Sequence, residues 1–395
     1  MSAPVVYLDN NATTRSDPRV LEAMWPYLTE QYGNPSSGHH FGARVAARIE
    51  EARGQVARLI GARDSEIVFT SGGTESNNAA LRGVLAARPG RRHLVISAVE
   101  HHAILEPAAA LEREGVAVTR IGVDADGRLD LDALAASLRD DTALVSIMLA
   151  NNETGVLFPL RQVCEIARAR GVLVHSDAVN ALGKLPIDVN ELGVDLLSLS
   201  GHKIHGPKGV GALYIRRGTP FRPLLLGGPQ ERQRRGGTLN APAIIGFGAA
   251  CELLMGPERR AMERVHALRR RLETELVRRF EHACIVGGAA PRLPNTTCVC
   301  FAGCPAEAIL LLLSEAGICA SSGSACSSGS LEPSHVLKAM GIDPHVAQGQ
   351  IRFSLSRFNS DADIDRLLET LPAILEKVAA VGGEVISQKQ DVRSR

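Results

Sequence analysis

The segment Asp195-Leu-Leu-Ser-Leu-Ser-Gly-His-Lys-Ile-His205 sets a lysine directly behind a short, leucine-rich run. A nearly continuous apolar run of this length suits a strand buried on both faces of a parallel sheet. Most lysines are solvated surface groups. Lys203 instead follows a buried strand, between His202 and Gly206-Pro207. An amine at that position is partly desolvated, which lowers its pKa and leaves free base to attack an aldehyde, as Schiff-base chemistry requires.

Working outward, similar runs recur at Glu66–Thr70, His93–Ala98, Val116–Ile121, Ala143–Ala150 and Val172–His175, each bounded by Gly, Asp, Ser or Pro. Helical patterns separate them. Val45–Ile60 carries apolar residues at 45, 49, 56 and 60, and Leu129–Leu138 and Leu160–Arg170 behave alike. The alternation predicts an α/β layer fold with helices on both faces of the sheet. Near Ala241 the rhythm changes to one long helical stretch, Pro242 to Phe280. Beyond it the pattern predicts a strand at Thr297–Phe301, a helix at Pro305–Ala316, a Ser/Gly loop, a strand at Ile351–Leu355 and a helix from Ala362. This is the pattern of a second, smaller α+β unit, with a boundary near residue 258 and a tail expected to fray after Gly382.

Three strand ends carry the parts of one site. Thr70-Ser-Gly-Gly-Thr-Glu-Ser-Asn77 links a strand to a helix. Gly73 and its neighbour allow a tight turn, the helix-start N–H groups face an anion, and Thr74 adds a hydroxyl. In Val174-His-Ser-Asp-Ala-Val-Asn180, Asp177 stands just past a strand, either capping a helix or facing a ligand at the carboxyl end of the sheet. Alone, each has an ordinary structural reading. Together they match the needs of pyridoxal 5'-phosphate: donors for the phosphate, a carboxylate for the ring nitrogen and a lysine for the aldehyde. His101, after the strand His93–Ala98, can offer a ring face. Asn151-Asn-Glu-Thr-Gly155 also follows a strand, and Arg352, flanked by Ile351 and Phe353, can point inward and clamp a carboxylate.

Lysine plus arginine number 44 and aspartate plus glutamate 43, so the formal charge of +1 gives no electrostatic case for nucleic acid or an anionic membrane. No apolar run approaches the roughly 18 residues of a membrane helix, and the first residues lack a signal-peptide pattern, so a soluble cytoplasmic protein is expected. Eight cysteines in a chain of this size do not read as a disulfide framework. Cys298 and Cys300 share one strand face and are expected in the core. The spacing of Cys298, Cys300 and Cys304 matches no usual zinc or cluster pattern. Cys326 lies in Ala320-Ser-Ser-Gly-Ser-Ala-Cys-Ser-Ser-Gly-Ser330, whose composition predicts an exposed, mobile loop and a reactive thiol.

With these residues in view, the chain resembles the cysteine desulfurases of the NifS/IscS class. The likeness runs from Tyr7-Leu-Asp-Asn-Asn-Ala-Thr-Thr14 to about Pro372. Its signals include Gly33-Asn-Pro-Ser36, the turn at Ser71–Ser76, Asn151–Gly155, Ser200-Gly-His-Lys203, Arg235-Gly-Gly-Thr238, Ser321–Cys326 and Ile351-Arg-Phe-Ser354. The stretch Ser328-Gly-Ser-Leu-Glu-Pro-Ser-His-Val336 is most similar to the NifS branch, which serves nitrogenase. The resemblance implies a fold-type I pyridoxal-phosphate transferase, aspartate aminotransferase-like, with a mainly parallel seven-stranded sheet. It implies a large domain at 15–258 and a small domain at 1–14 and 259–395, with the cysteine loop at 321–333.

It further implies that Lys203 binds the cofactor covalently and moves protons, that Asp177 pairs with the ring nitrogen, and that His101 stacks on the ring. Gly73, Thr74, Ser200, His202 and a partner subunit's Thr238 would hold the phosphate. Asn152 and Arg352 would orient L-cysteine, with Asn34 as a further substrate contact. Cys326 would accept the sulfur. Asn180 stands where the family usually has glutamine, one methylene longer, on the ring's phenolic oxygen. The implied partners are a second copy of the chain and an iron–sulfur scaffold of the NifU/IscU type. No intrinsic metal is expected, and Cys326 is the one residue placed to share a scaffold-bound cluster. The rival readings are a selenocysteine lyase or another fold-type I enzyme and, outside enzymes, a thiol-based metal carrier using Cys298, Cys300 and Cys304.

Overall fold

A computed structural model describes residues 5–256, 258, 260–323 and 334–391 of the chain. After a two-residue strand β1 (Val6–Tyr7) come β2 (Ile67–Thr70), β3 (His93–Ser97), β4 (Ala117–Ile121), β5 (Thr142–Ser146), β6 (Leu173–Asp177), β7 (Leu196–Ser200) and β8 (Gly211–Ile215). Strands β2 to β8 form one sheet in the order β2-β8-β7-β6-β5-β3-β4. From β7 to β4 all neighbours are parallel. Strand β8 runs antiparallel to both β2 and β7. The expected mainly parallel, seven-stranded α/β sheet is therefore present. Its seventh strand, β8, was not among the runs read from the sequence.

The inner parallel strands β3, β5, β6 and β7 are buried along nearly their whole length because helices cover both faces, while the edge strand β4 is only partly buried. The helix His40–Leu59 packs Val45, Ile49 and Val56 into the core on one side, and Gly73–Ala87 packs Ala80, Leu81 and Val84 on the other. The single long helix expected over Pro242–Phe280 is two helices, Ala241–Met255 and Ala261–Arg279. The first helix ends at Gly256, and the next residue in the sequence is a proline, a residue that disfavours helix continuation.

A second core gathers Val6, Leu8, Val265, Phe301, Phe353 and Leu367. Its strands are β9 (Ala283–Ile285), β10 (Thr296–Phe301), β11 (Ile318–Cys319) and β12 (Gln350–Ser354). Strand β10 is antiparallel to both β12 and β9, while β1 pairs with β11 in parallel, which ties the first residues to this core. The last helix, Asp361–Asp391, runs past Gly382, where fraying was expected. Among the described residues no helix is long and apolar enough to cross a membrane.

Candidate active site

The carboxyl ends of β2, β6 and β7 meet at one edge of the sheet. Thr70 at the end of β2 pairs with Gly211, which pairs in turn with Ser200 at the end of β7. Gly211 has no room for a side chain, since a Cβ there would lie 2.5 Å from the Leu199 carbonyl and 2.7 Å from the Gly72 Cα. The turn after β2 and the end of β7 are thereby pressed together. The helix Gly73–Ala87 starts in that turn with no side chain capping it. Its first N–H groups consequently lack intrahelical partners and face the site with the positive end of the helix dipole. Ser200 Oγ is buried and has no hydrogen-bond partner among the described residues. An uncapped helix start beside an orphaned buried hydroxyl fits a bound phosphate.

Asp177 closes β6 and is buried. Its Oδ2 accepts from Asn77 Nδ2 at 2.7 Å, and its Oδ1 accepts from the Val179 N–H at 2.9 Å. Asn77 comes from the helix after β2, so one hydrogen bond joins the phosphate-type turn to the carboxylate. Gly73 lies against Val179, where a Cβ would fall 2.6 Å from Cγ2. The expected cap role of Asp177 therefore extends to one backbone N–H only, and the rest of the carboxylate faces inward.

Lys203 follows β7 on a short 3-10 turn. Its Nζ donates to the Asn11 carbonyl and, at 2.9 Å, to the Ala12 carbonyl. The β7 turn is thus fastened to Asn11–Thr14, and Thr14 Oγ1 also donates to the His202 carbonyl at 2.8 Å. His202 Nδ1 lies 3.1 Å from Thr13 Oγ1, and its pKa is pushed down to about 4, chiefly by burial and then by Lys203 and Lys208. Its imidazole is neutral near pH 7.

His101 begins the helix His102–Arg113, its Nδ1 accepting from the Ala103 N–H at 3.0 Å. Burial lowers its pKa most. The Asp177 carboxylate opposes that shift and the Lys203 ammonium adds to it. His101, Asp177 and Lys203 stand at or just past the carboxyl ends of β3, β6 and β7, strands that run parallel within one sheet, so the three residues lie along the same edge of it.

Arg352 on β12 points inward, as its apolar flanks predicted, and is 2% exposed. It donates to Asp9 Oδ1 at 2.8 Å, to the Asn152 carbonyl at 3.0 Å and to the Gly323 carbonyl at 2.8 Å. Asn152 is buried in the turn after β5. Asn180 is buried too, but its Oδ1 is met by Lys184 Nζ at 3.5 Å.

Two expected contacts do not join this cluster. Asn34 is exposed, and its Oδ1 accepts from the N–H of Ser36 in its own turn. Thr238 is exposed, and its loop is joined to the helix after β2 by the Arg235–Glu75 ion pair at 2.9 Å. The structure does not bring either residue to Lys203 within one chain. Cys326 lies outside the described residues. Cys298 and Cys300 are buried in the core as expected, with burial raising both thiol pKa values.

Several buried polar residues went unassigned in the sequence. Asn11 links four elements, since its Nδ2 donates to Asn152 O and Thr296 Oγ1 and its Oδ1 accepts from Lys184 and Asn295. Lys184 is held almost wholly out of water, and that burial drives its pKa well down. Asn77 and Glu153 complete the set. Asn11, Asn77 and Glu153 sit inside motifs quoted above, so their signal was present in the strings Asp9-Asn-Asn11, Glu75-Ser-Asn77 and Asn152-Glu153.

The aminotransferase class-V family model matches residues 6–367. A cysteine desulfurase of Trichormus azollae is 52% identical over 377 residues, covering 95% of this chain and 94% of the relative. The cysteine desulfurase NifS of Azotobacter vinelandii is 50% identical over 95% of this chain and 94% of its own length. A solved NifS-like protein superposes with a TM-score of 0.88 at 41% identity, covering 94% of this chain and 99% of that one.

Proposed function

Because the chain belongs to the class-V aminotransferases and, within them, to the pyridoxal-phosphate-dependent cysteine desulfurases, we propose how its own residues divide the reaction. The observation that supports the division is the convergence of Lys203, Asp177 and His101 beside the uncapped start of Gly73–Ala87. The N–H groups of Gly73 and Thr74, the free Ser200 hydroxyl and His202 hold the phosphate. Asp177, held by Asn77, would pair with the ring nitrogen. His101 would stack on the ring, and Asn180 would meet the phenolic oxygen. Lys203 is the covalent anchor.

When bound, pyridoxal phosphate supplies a sink for the electrons released at the substrate α-carbon. Lys203 Nζ takes the α-proton and returns a proton to the substrate skeleton. The Arg352 guanidinium and Asn152 hold the substrate carboxylate. The thiolate of Cys326 attacks the substrate Sγ. An S–S bond forms as the Cβ–Sγ bond breaks, the bonding pair stays with carbon, and that carbon is protonated. L-Cysteine and a thiol become L-alanine and a persulfide, with no external oxidant or reductant.

The reading extends to assembly. Thr238 is exposed two residues after Gly236, which packs against the backbone of Leu226, itself 84% exposed, and a second copy that covers this loop would bring its own Thr238 to the phosphate. The second core, drawn wholly from 1–14 and 259–395, supports a division into 15–258 and 1–14 plus 259–395, although Val286, Cys298 and Leu337 pack into the first core. The persulfide passes to an iron–sulfur scaffold of the NifU/IscU type. Borohydride reduction of the loaded enzyme, followed by peptide mapping, tests the arrangement. Reduced cofactor on the Lys203 peptide is expected, and cofactor fixed to Lys184 or another lysine would overturn it.

A further inference from the structure

Glu153 is fully buried in the turn after β5, beside Asn152, and the mechanism above gives it no part. Its backbone is fixed by Asn151, whose Oδ1 accepts from the Glu153 N–H at 2.9 Å. Its Oε2 accepts from Gln350 Nε2 at 3.1 Å and from the hydroxyl of Ser334. Gly323 sits against the same oxygen, where a Cβ would fall 2.7 Å away, and its φ of +28° is a conformation that side chains disfavour. Gly323 and Ser334 are the described residues that flank 324–333, the stretch containing Cys326. One buried oxygen therefore meets the chain on both sides of the cysteine.

Each end has a second fastening. The Gly323 carbonyl accepts from Arg352 at 2.8 Å. Ser334 Oγ caps the helix His335–Ala339 by accepting from the Val336 N–H at 3.1 Å, and His335 Nε2 lies 2.9 Å from the Glu100 carbonyl. Glu153 Oε1 is buried without a partner among the described residues. Burying a carboxyl group with half its acceptors unused is costly, and an apolar side chain would fill the same space at lower cost. The retained oxygen does what an apolar group cannot, which is to hold Ser334 and Gln350 in one place.

We propose that Glu153 is a positioning residue for sulfur transfer, fixing the two chain ends from which Cys326 is presented to the substrate sulfur. The inference rests on the reading of Cys326 as the sulfur acceptor. Among the described residues, no hydrogen bond joins Glu153 to the cofactor-binding turn; its carboxylate lies within electrostatic reach of His101, which a neutral variant that keeps the acceptor oxygen separates from its hold on the chain ends. Its loss as an acceptor therefore acts chiefly on the step that needs Cys326. Misplacing an attacking group by about an ångström costs on the order of 100-fold in rate.

The test uses the loaded enzyme and the variants Glu153→Leu, Glu153→Gln, Ser334→Ala and Ser334→Thr. Leucine fills the space without an acceptor, whereas the amide oxygen of glutamine can accept from both donors that converge on Oε2. Two quantities are read: the affinity for L-cysteine from the change in cofactor absorbance, and the single-turnover rate at which sulfur reaches Cys326, from peptide mass. A third reading is the iodoacetamide alkylation rate of Cys326 without substrate. The expected result is a fall of about tenfold or more in the transfer rate for Glu153→Leu, with affinity within about twofold and alkylation altered, and a rate largely retained in Glu153→Gln. Ser334→Ala shows a smaller loss, Ser334→Thr restores the rate, and Ser334→Ala adds little on the Glu153→Leu background. An unchanged transfer rate in Glu153→Leu overturns the proposal, as does a fall matched by lost cysteine affinity or an equal fall in Glu153→Gln. If the unaltered enzyme carries sulfur on another thiol, the Cys326 reading itself fails, and that control separates the two failures.

Discussion

Arg352 Nη1 donates at 2.8 Å to the carbonyl of Gly323, three residues before Cys326. The same nitrogen donates to Asn152, and Nη2 is paired with Asp9. In the proposed mechanism a substrate carboxylate approaches this guanidinium, so the Gly323 carbonyl holds a place that a carboxylate oxygen can take. Lysine cannot reproduce the fork of donors. Arg352→Lys is expected to raise KM for L-cysteine by about 10- to 100-fold, the equivalent of one charged hydrogen bond, while cofactor absorbance stays unchanged. Steady-state kinetics with absorbance spectra check this, and an unaltered KM would remove Arg352 from the substrate contacts.

Among the described residues, Asn77 Nδ2 donates to Asp177 alone. Asn77→Ala leaves one carboxylate oxygen without that donor and loosens the group proposed to face the ring nitrogen. A hydrogen bond to a charged group contributes about 1.5–3 kcal/mol, so cofactor affinity should fall by about tenfold or more. Titration of the stripped enzyme with pyridoxal phosphate measures it. Equal affinity in the variant would mean that Asp177 is held by its backbone contact alone.

Glu100 gives a pH dependence of known sign. Its carboxyl is buried, accepting from Ser97 Oγ at 2.6 Å and the Met148 N–H at 2.9 Å, and burial lifts its pKa from 4.5 to about 8. The folded protein thus holds this proton more tightly than the unfolded chain does. The resulting stabilisation is complete below pH 4.5 and is lost as pH rises toward 8. Glu100→Gln has no proton to lose. Thermal unfolding at stepped pH should show the variant gaining on the unaltered protein between those limits, and a constant difference would contradict the assignment.

Much of this architecture was legible in the sequence because the parallel strands are continuous apolar runs. Strand β8 escaped notice for a physical reason. It follows the lysine turn with no intervening helix, so the strand–helix alternation that signals parallel pairing does not mark it. Asp177, His101 and Lys203 were readable because each stands just past such a run. Asn11 and Glu153 stood inside quoted motifs, but their partners could not be read, since these lie far away in sequence, as with Asn11 and Thr296 or Glu153 and Ser334. Asn34 and Thr238 fall at the surface of one chain, and the role proposed for Thr238 calls for a second copy that no local pattern specifies.

The account turns on where the sulfur goes. The measurement is peptide mass mapping of the loaded enzyme after one equivalent of L-cysteine, with alanine quantified in the same sample. One added sulfur on the Cys326 peptide and one alanine per site are predicted, with Cys326→Ala keeping its cofactor absorbance and forming neither product at the normal rate. Sulfur on the exposed Cys284, or on the half-buried Cys304 or Cys319, with Cys326 unmodified, would contradict it.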